Sequence, residues 1–180
     1  MANKKAFELS INFIVIIIIS LVIFGLGIKF IADISSQAVN IKDITLKDLD
    51  EKISNLVCEG SARVCLSTER KIIQKKDFDV FGLKVLNILD KQSFEIRVFP
   101  PDDYLGFKKD KTPIPTQSPR LTINPTEREV VIEKNEEKRI GIAVQVPANA
   151  VSGTYILNIE IKTQDGKPYS AVQLLLVDVP

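Results

Sequence analysis

Few side chains in this 180-residue sequence have the type and spacing for chemistry. Ser67 and Lys71 could form a dyad in which the amine takes the proton of a serine nucleophile, although that spacing along a strand edge arises readily by chance. Asp102 and Asp103 have the carboxylates to hold a hard cation with help from backbone carbonyls; the simpler reading is a solvated acidic pair in a turn. Cys58 and Cys65 are the only cysteines, with six residues between them. That spacing is not the CxxC of a redox or zinc site. Histidine and tryptophan are absent, and the single methionine is Met1. Without histidine there is no Ser-His or Cys-His relay, no zinc site of the common kinds and no imidazole switch. No Walker-type loop is present, and Gly25-Leu26-Gly27 lies inside an apolar run, where it reads as helix packing rather than phosphate binding. The expectation is a non-enzyme with no catalytic residue, no metal and no cofactor.

Charge narrows the partners. A formal net charge of +1 gives no reason to expect nucleic acid, which calls for a clustered basic surface. Bases alternate with acids in Glu127-Arg128-Glu129 and in Glu133-Lys134-Asn135-Glu136-Glu137-Lys138, as on solvated strand edges and turns.

Any site must be positioned by the remaining elements. From Leu9 to Ile28 no residue is charged, and at about 1.5 Å per residue such a helix is about 30 Å long, the thickness of a bilayer's hydrocarbon core. A cleavable signal has a shorter apolar region of about 7–15 residues and a small-x-small site, whereas this run passes into Lys29, Phe30 and Asp33. A transmembrane signal anchor over residues 9–30 is therefore expected, with the lipid bilayer as its partner. Lys4, Lys5 and the terminal amine precede it, which places residues 1–8 in the cytoplasm and the rest of this single-pass protein outside.

Residues 31–60 read as a helical stalk. Thr45-Leu46-Lys47-Asp48 is a relative of the capping box, and Leu46, Leu49, Ile53 and Leu56 follow at helical spacing before Gly60. The stripe predicts packing on the chain's own β-domain or on a second copy. In an extracytoplasmic segment, Cys58 and Cys65 are expected to form a disulfide joining the helix end to the first strand.

From residue 61 to 180 the period changes to two. Ile140, Ile142, Val144 and Val146 share one face, as do Tyr155, Leu157, Ile159 and Ile161, and as do Phe94, Ile96 and Val98. Candidate strands are Lys71–Gln74, Phe81–Leu89, Phe94–Phe99, Arg120–Ile123, Glu129–Glu133, Arg139–Val146, Thr154–Thr163 and Tyr169–Val179, with a hairpin turn at Asp165-Gly166. The predicted fold class is mainly β, an antiparallel sandwich preceded by a long helix and a short amphipathic one. Phe99 to Pro119 is the longest irregular stretch, of the kind that often carries function.

Two segments carry resemblances. Lys4-Lys5-Ala6, then Leu9-Ser10-Ile11-Asn12-Phe13 and a long Ile/Val run, resembles the class III signal of archaeal type IV pilin-like proteins. That resemblance implies cleavage between Ala6 and Phe7; the fifth mature position would be Ile11, where the family usually carries Glu. Val146-Pro147 through Gly153-Thr154-Tyr155 resembles a corner of prokaryotic immunoglobulin-like and fibronectin-type-III-like surface domains, which implies a tyrosine corner at Tyr155. An N-terminal span carrying a β-sandwich is similar to archaellum stator architecture. The implied function is a cell-surface binding module serving another membrane or cell-envelope protein, as an accessory of a filament, motility or secretion system; the alternative is a pilin-like structural subunit.

Overall fold

A computed structural model describes residues 4–36, 45–53 and 62–180; within the long helix, side chains are described for residues 13–29. The chain divides into two compact units, Met1–Asn40 and Ile41–Pro180.

The first unit contains α1 (Lys4–Ser36), 33 residues long. Proline is absent from it, and its interior of Ile, Leu, Val and Phe is helical because each backbone N–H finds a carbonyl one turn back. Large apolar side chains from Phe13 to Ile28 are exposed, Phe13 at 64% and Phe24 at 66%. Among the described residues no helix is long and apolar enough to cross a membrane. The expected Leu9–Ile28 span begins at residues whose side chains lie outside the described ones, so the transmembrane part of the expectation is not established by the structure.

The second unit opens with α2 (Leu46–Lys52). Thr45 caps it: its side chain accepts from the Asp48 amide and the Asp48 carboxylate accepts from the Thr45 amide, closing the reciprocal cap that the sequence indicates. Leu56 and Gly60 lie outside the described residues.

Among the described residues eleven strands follow: β1 (Val64–Leu66), β2 (Arg70–Ile72), β3 (Phe78–Leu86), β4 (Gln92–Phe99), β5 (Gly106–Phe107), β6 (Pro113–Ile114), β7 (Thr122–Asn124), β8 (Glu127–Ile132), β9 (Glu137–Gln145), β10 (Gly153–Thr163) and β11 (Gln173–Val179). One sheet has the order β1-β3-β9-β7; the seven-stranded sheet runs β2-β11-β10-β4-β8, with the β5–β6 ribbon joined to β10. Pairing is antiparallel except between β2 and β11. The arrangement is a mainly antiparallel β-sandwich, the four-stranded sheet facing the seven-stranded one. Two segments change sheet. β1 and β2 divide the first edge, and β7 and β8 divide another around the cis Asn124–Pro125 bond.

One core joins the sheets. Phe81, Leu83, Val85, Ile140, Ile142 and Val144 come from the first sheet, and Phe94, Ile96, Tyr155, Leu157, Ile159, Ile161, Leu175 and Val177 from the second. The three alternating patterns noted in the sequence all point inward. A smaller cluster lies on the outer face of the first sheet, where Leu49 of α2 and its C-cap residue Ile53 meet Val80 and Ala143. Leu49 and Ile53 of the stripe thus pack on their own domain, while Leu46 is exposed.

Several boundaries differ from expectation. β3 begins at Phe78 rather than Phe81, because its outer face is also covered and no alternation marks its start. Tyr169 to Val172 is not strand; Tyr169 turns inward, where its hydroxyl donates to Leu86 O at 2.6 Å and accepts from Ile88 N at 3.2 Å. The stretch taken as irregular from Phe99 to Pro119 contains β5 and β6 and is pinned to the core by Leu105 and Ile114. Two-residue ladders are too short to leave a period. Asn87, fully buried, was not anticipated; it donates to Ile132 O and Asp90 O and accepts from Leu89 N.

The tyrosine corner is present. Tyr155, 1% exposed, accepts through its hydroxyl from Val151 N at 3.0 Å. Burial raises its pKa above 10.0, a shift that the Val151 bond opposes. The folded state therefore favours the neutral phenol. That contribution to stability is complete below about pH 10 and is lost as pH rises through the folded value. Tyr155→Phe leaves the Val151 amide without this acceptor and should cost about 1–3 kcal/mol. Denaturant titrations near neutral pH check the cost, and the variant should lose less stability above pH 10 than the parent.

Candidate functional site

The residues with chemical potential are not assembled into a reactive centre. Ser67 continues the β1–β3 ladder, its Oγ accepting from Gly82 N at 3.2 Å. Lys71 Nζ donates to Asp79 Oδ1 at 2.8 Å and Val80 O at 2.9 Å, and lies 5.3 Å from the Phe81 ring centroid. No hydrogen bond joins Ser67 to Lys71, and each has a structural task. Asp102 and Asp103 are exposed, and among the described residues no group of three or more side chains could hold a metal ion. Cys65 is not a free thiol. Its expected partner, Cys58, lies outside the described residues, so the bridge is not established. Ala6 and Phe7 fall in α1, with their side chains also outside the described residues.

A wide cleft of about 760 Å³ at one end of the sandwich is lined by Arg63, Gln92, Asp165, Lys167 and Tyr169. Its polar groups are mostly engaged with each other. The Arg63 guanidinium lies over the Tyr169 ring at 5.2 Å. Lys167 and Thr163 hold the Asp165 carboxyl at a pKa of about 2.

The outer face of the seven-stranded sheet is different. Inward residues of β11 alternate with Leu174, Leu176 and Asp178, and those of β10 with Thr154, Ile156, Asn158, Glu160 and Lys162. Register sets Leu176 opposite Ile156, Leu174 opposite Asn158, and Asn158 opposite Phe99. Directly opposed side chains stand about 5 Å apart, so Leu174, Leu176, Ile156 and Phe99 form one patch. Leu174 is 53% exposed and Val172, beside it in sequence, 49%. A single exposed leucine is ordinary, but a grouped apolar patch with a polar rim has the composition of a docking surface.

The other half of this face is charged. Glu95 stands directly opposite Glu129 and Arg97 opposite Glu127. Arg97 Nε is 3.7 Å from Glu95 and 3.9 Å from Glu127, and Lys162 is 3.0 Å from Glu160. Ser93 Oγ donates to Glu129 at 2.6 Å. Two opposed glutamates are destabilising by themselves, and Arg97 offsets part of that. The sequence did contain a signal for the apolar half: in Gln173-Leu-Leu-Leu-Val-Asp-Val, alternation with the buried Leu175, Val177 and Val179 places Leu174 and Leu176 outside. The continuous apolar run hid it.

No family model matches the chain, and no curated protein does. Among solved structures, a family 123 glycoside hydrolase from Clostridium perfringens is similar at 15% identity and a TM-score of 0.44 over 76% of this chain, which spans only 25% of that one. The human CEP192 ASH/PapD-like domain matches at 11% identity and a TM-score of 0.44, covering 71% of this chain and 95% of that one. The self-complemented major subunit of Yersinia enterocolitica Myf fimbriae, MyfA, matches at 14% identity and a TM-score of 0.39, covering 64% and 97%. None of the three is an archaeal pilin or archaellum protein, and likenesses of this size carry nothing about function. What the chain has of its own is a β-sandwich with a partly apolar, partly charged outer face.

Proposed function

We propose that this protein is a non-enzymatic, membrane-anchored binding module. In this reading α1 is the anchor, the N-terminus is cytoplasmic, and the sandwich lies outside with Cys58 and Cys65 bridged. The sandwich docks another membrane or envelope protein through the outer face of its seven-stranded sheet. The observation that carries the reading is the Leu174, Leu176, Ile156 and Phe99 patch beside charged residues of both signs. Such a patch gains by being covered, and the charged half would set orientation. The exposed apolar side chains of α1 support the anchor, since they too need a nonpolar surrounding.

A photocrosslinking residue at position 174 in cells should trap one discrete protein adduct, while one at Lys134 in the β8–β9 turn should trap none. Equal trapping at both, or none at 174, overturns the docking face. The mass of the mature chain separates the two uses of α1. An N-terminus at Met1 is an anchor; one at Phe7 is a processed, pilin-like subunit whose helix packs in a filament.

A further inference from the structure

At the end of the sandwich holding the β2–β3 and β5–β6 turns, five lysines are exposed: Lys75, Lys76, Lys108, Lys109 and Lys111. None takes part in an ion pair among the described residues. Elsewhere on the domain, Lys71, Lys84, Lys91, Lys134, Lys162 and Lys167 each have a carboxylate within 3.8 Å. Of the nearby acids, Asp178 pairs with Arg70 at 3.2 Å, and two more are turned to local tasks. The Asp77 carboxylate accepts from the Phe78 amide, and that of Asp110 accepts from the Thr112 amide and hydroxyl.

Two of the lysines occupy left-handed backbone positions, Lys76 at φ 72° and Lys111 at φ 67°. Glycine or asparagine would hold those positions with less strain, and a long charged residue there turns attention to its charge. Lys108 and Lys109 of the β5–β6 turn line a hollow of about 230 Å³ together with Ile72 at the end of β2, Asp178, Val179 and Pro180 among others. Ile72 is 71% exposed, more than any other large apolar residue described.

We infer that this lysine-rimmed end, tipped by Ile72, is a docking surface for an anionic lipid bilayer. Ammonium groups outside any ion pair, on flexible stems, suit a diffuse sheet of headgroup phosphates, and an exposed isoleucine beside two of them suits the shallow apolar layer beneath. An acidic protein would leave Ile72 to be matched by a specific pocket; a bilayer accepts it without one. The inference extends the anchored reading. A domain already tethered to a bilayer makes even a weak contact with it effective. The contact would limit how the outer face of the seven-stranded sheet is presented to a partner.

The absence of tryptophan makes a direct test available. The full chain carrying Ile72→Trp has one indole, at the proposed contact. It is reconstituted in phosphatidylcholine vesicles and in phosphatidylglycerol-rich ones, with and without brominated acyl chains. The expected result is blue-shifted emission, quenched by bromine, in the anionic vesicles alone and lost at high salt. At about fivefold per basic residue near an anionic surface, Lys108→Glu with Lys109→Glu should lower the docked-to-free ratio by about twenty-five-fold or more. A water-exposed indole in both lipids overturns the proposal, as does equal burial in neutral vesicles or burial without lipid. Flotation of the chain with neutral vesicles at high salt reports α1 separately. Flotation with a wet indole leaves the anchor standing and sinks this contact. Docking on anionic vesicles without flotation at high salt does the reverse.

Discussion

Ile142→Ala should lower the unfolding free energy by about 2–5 kcal/mol, the cost of a buried large-to-alanine truncation. Ile142 is fully buried in the common core, in the middle of β9 and opposite Phe81. The loss combines the missing transfer energy with a cavity that close-packed neighbours fill only in part. Against a total of about 5–15 kcal/mol for a domain, the melting temperature should fall by about 10–20 °C. Glu160→Ala is the contrast. Glu160 points out of β10 and pairs with Lys162 at 3.0 Å, a contact of the surface kind worth about 0–1 kcal/mol. Thermal melts of residues 41–180, monitored by circular dichroism, compare the two directly. Equal sensitivity at both positions would show that the inward and outward faces have been exchanged.

Gly141→Val should detach α2 while leaving the sandwich folded. A Cβ at Gly141 would lie 2.7 Å from the backbone carbon and oxygen of Leu49, and a helix backbone cannot yield as a side-chain tip does. The glycine is also where α2 is fastened. Asp50 Oδ1 accepts from Gly141 N at 2.9 Å, and its carboxylate takes two bonds from Arg128, at 2.9 and 2.7 Å. β7 pairs with β9 only from Ala143 to Gln145, so Asp50 supplies an acceptor where the neighbouring strand has ended. Lifting the helix exposes Leu49 and Ile53, each worth about 1.5–3 kcal/mol when buried. The expected loss is therefore about 3–6 kcal/mol by area alone, an upper value because the unfolded chain already covers part of that surface. Limited proteolysis should cut near residue 50 in the variant and spare β9, whereas Asp50→Asn, which keeps the contact surface, should do so far less. Protection of α2 in Gly141→Val, or global unfolding, would contradict this account of the fastening.

These two positions also divide what was legible from what was not. Ile142 could be read because large apolar residues alternate with Gly141, Ala143 and Gln145 along β9, although Ile140 to Val144 are all buried there, and β10 alternates along its whole length. The Thr45 cap was legible because its partners are three residues apart. Gly141 carried no such signal: its requirement comes from a helix more than ninety residues earlier in the chain. The same holds for Asn87, whose carbonyl partner Ile132 is remote. The chemistry of Ser67 and Lys71 was undecidable from spacing, since Gly82, Asp79 and Val80, which occupy them, are brought in by β3.

Local order in the sequence determined the long apolar helix, the capped short helix, the alternating strands and the tyrosine corner, because each depends on residues within a turn or a strand of one another. Tertiary structure decided which strands share a sheet, where β1–β2 and β7–β8 pass between sheets, and that Leu174, Leu176 and Ile156 face outward together. It also placed Lys108 and Lys109, more than thirty residues away in the chain, beside Ile72. A period reports only which side of a strand is covered; it carries no record of the neighbour that covers it, and a surface assembled from several strands exists only once their register is set.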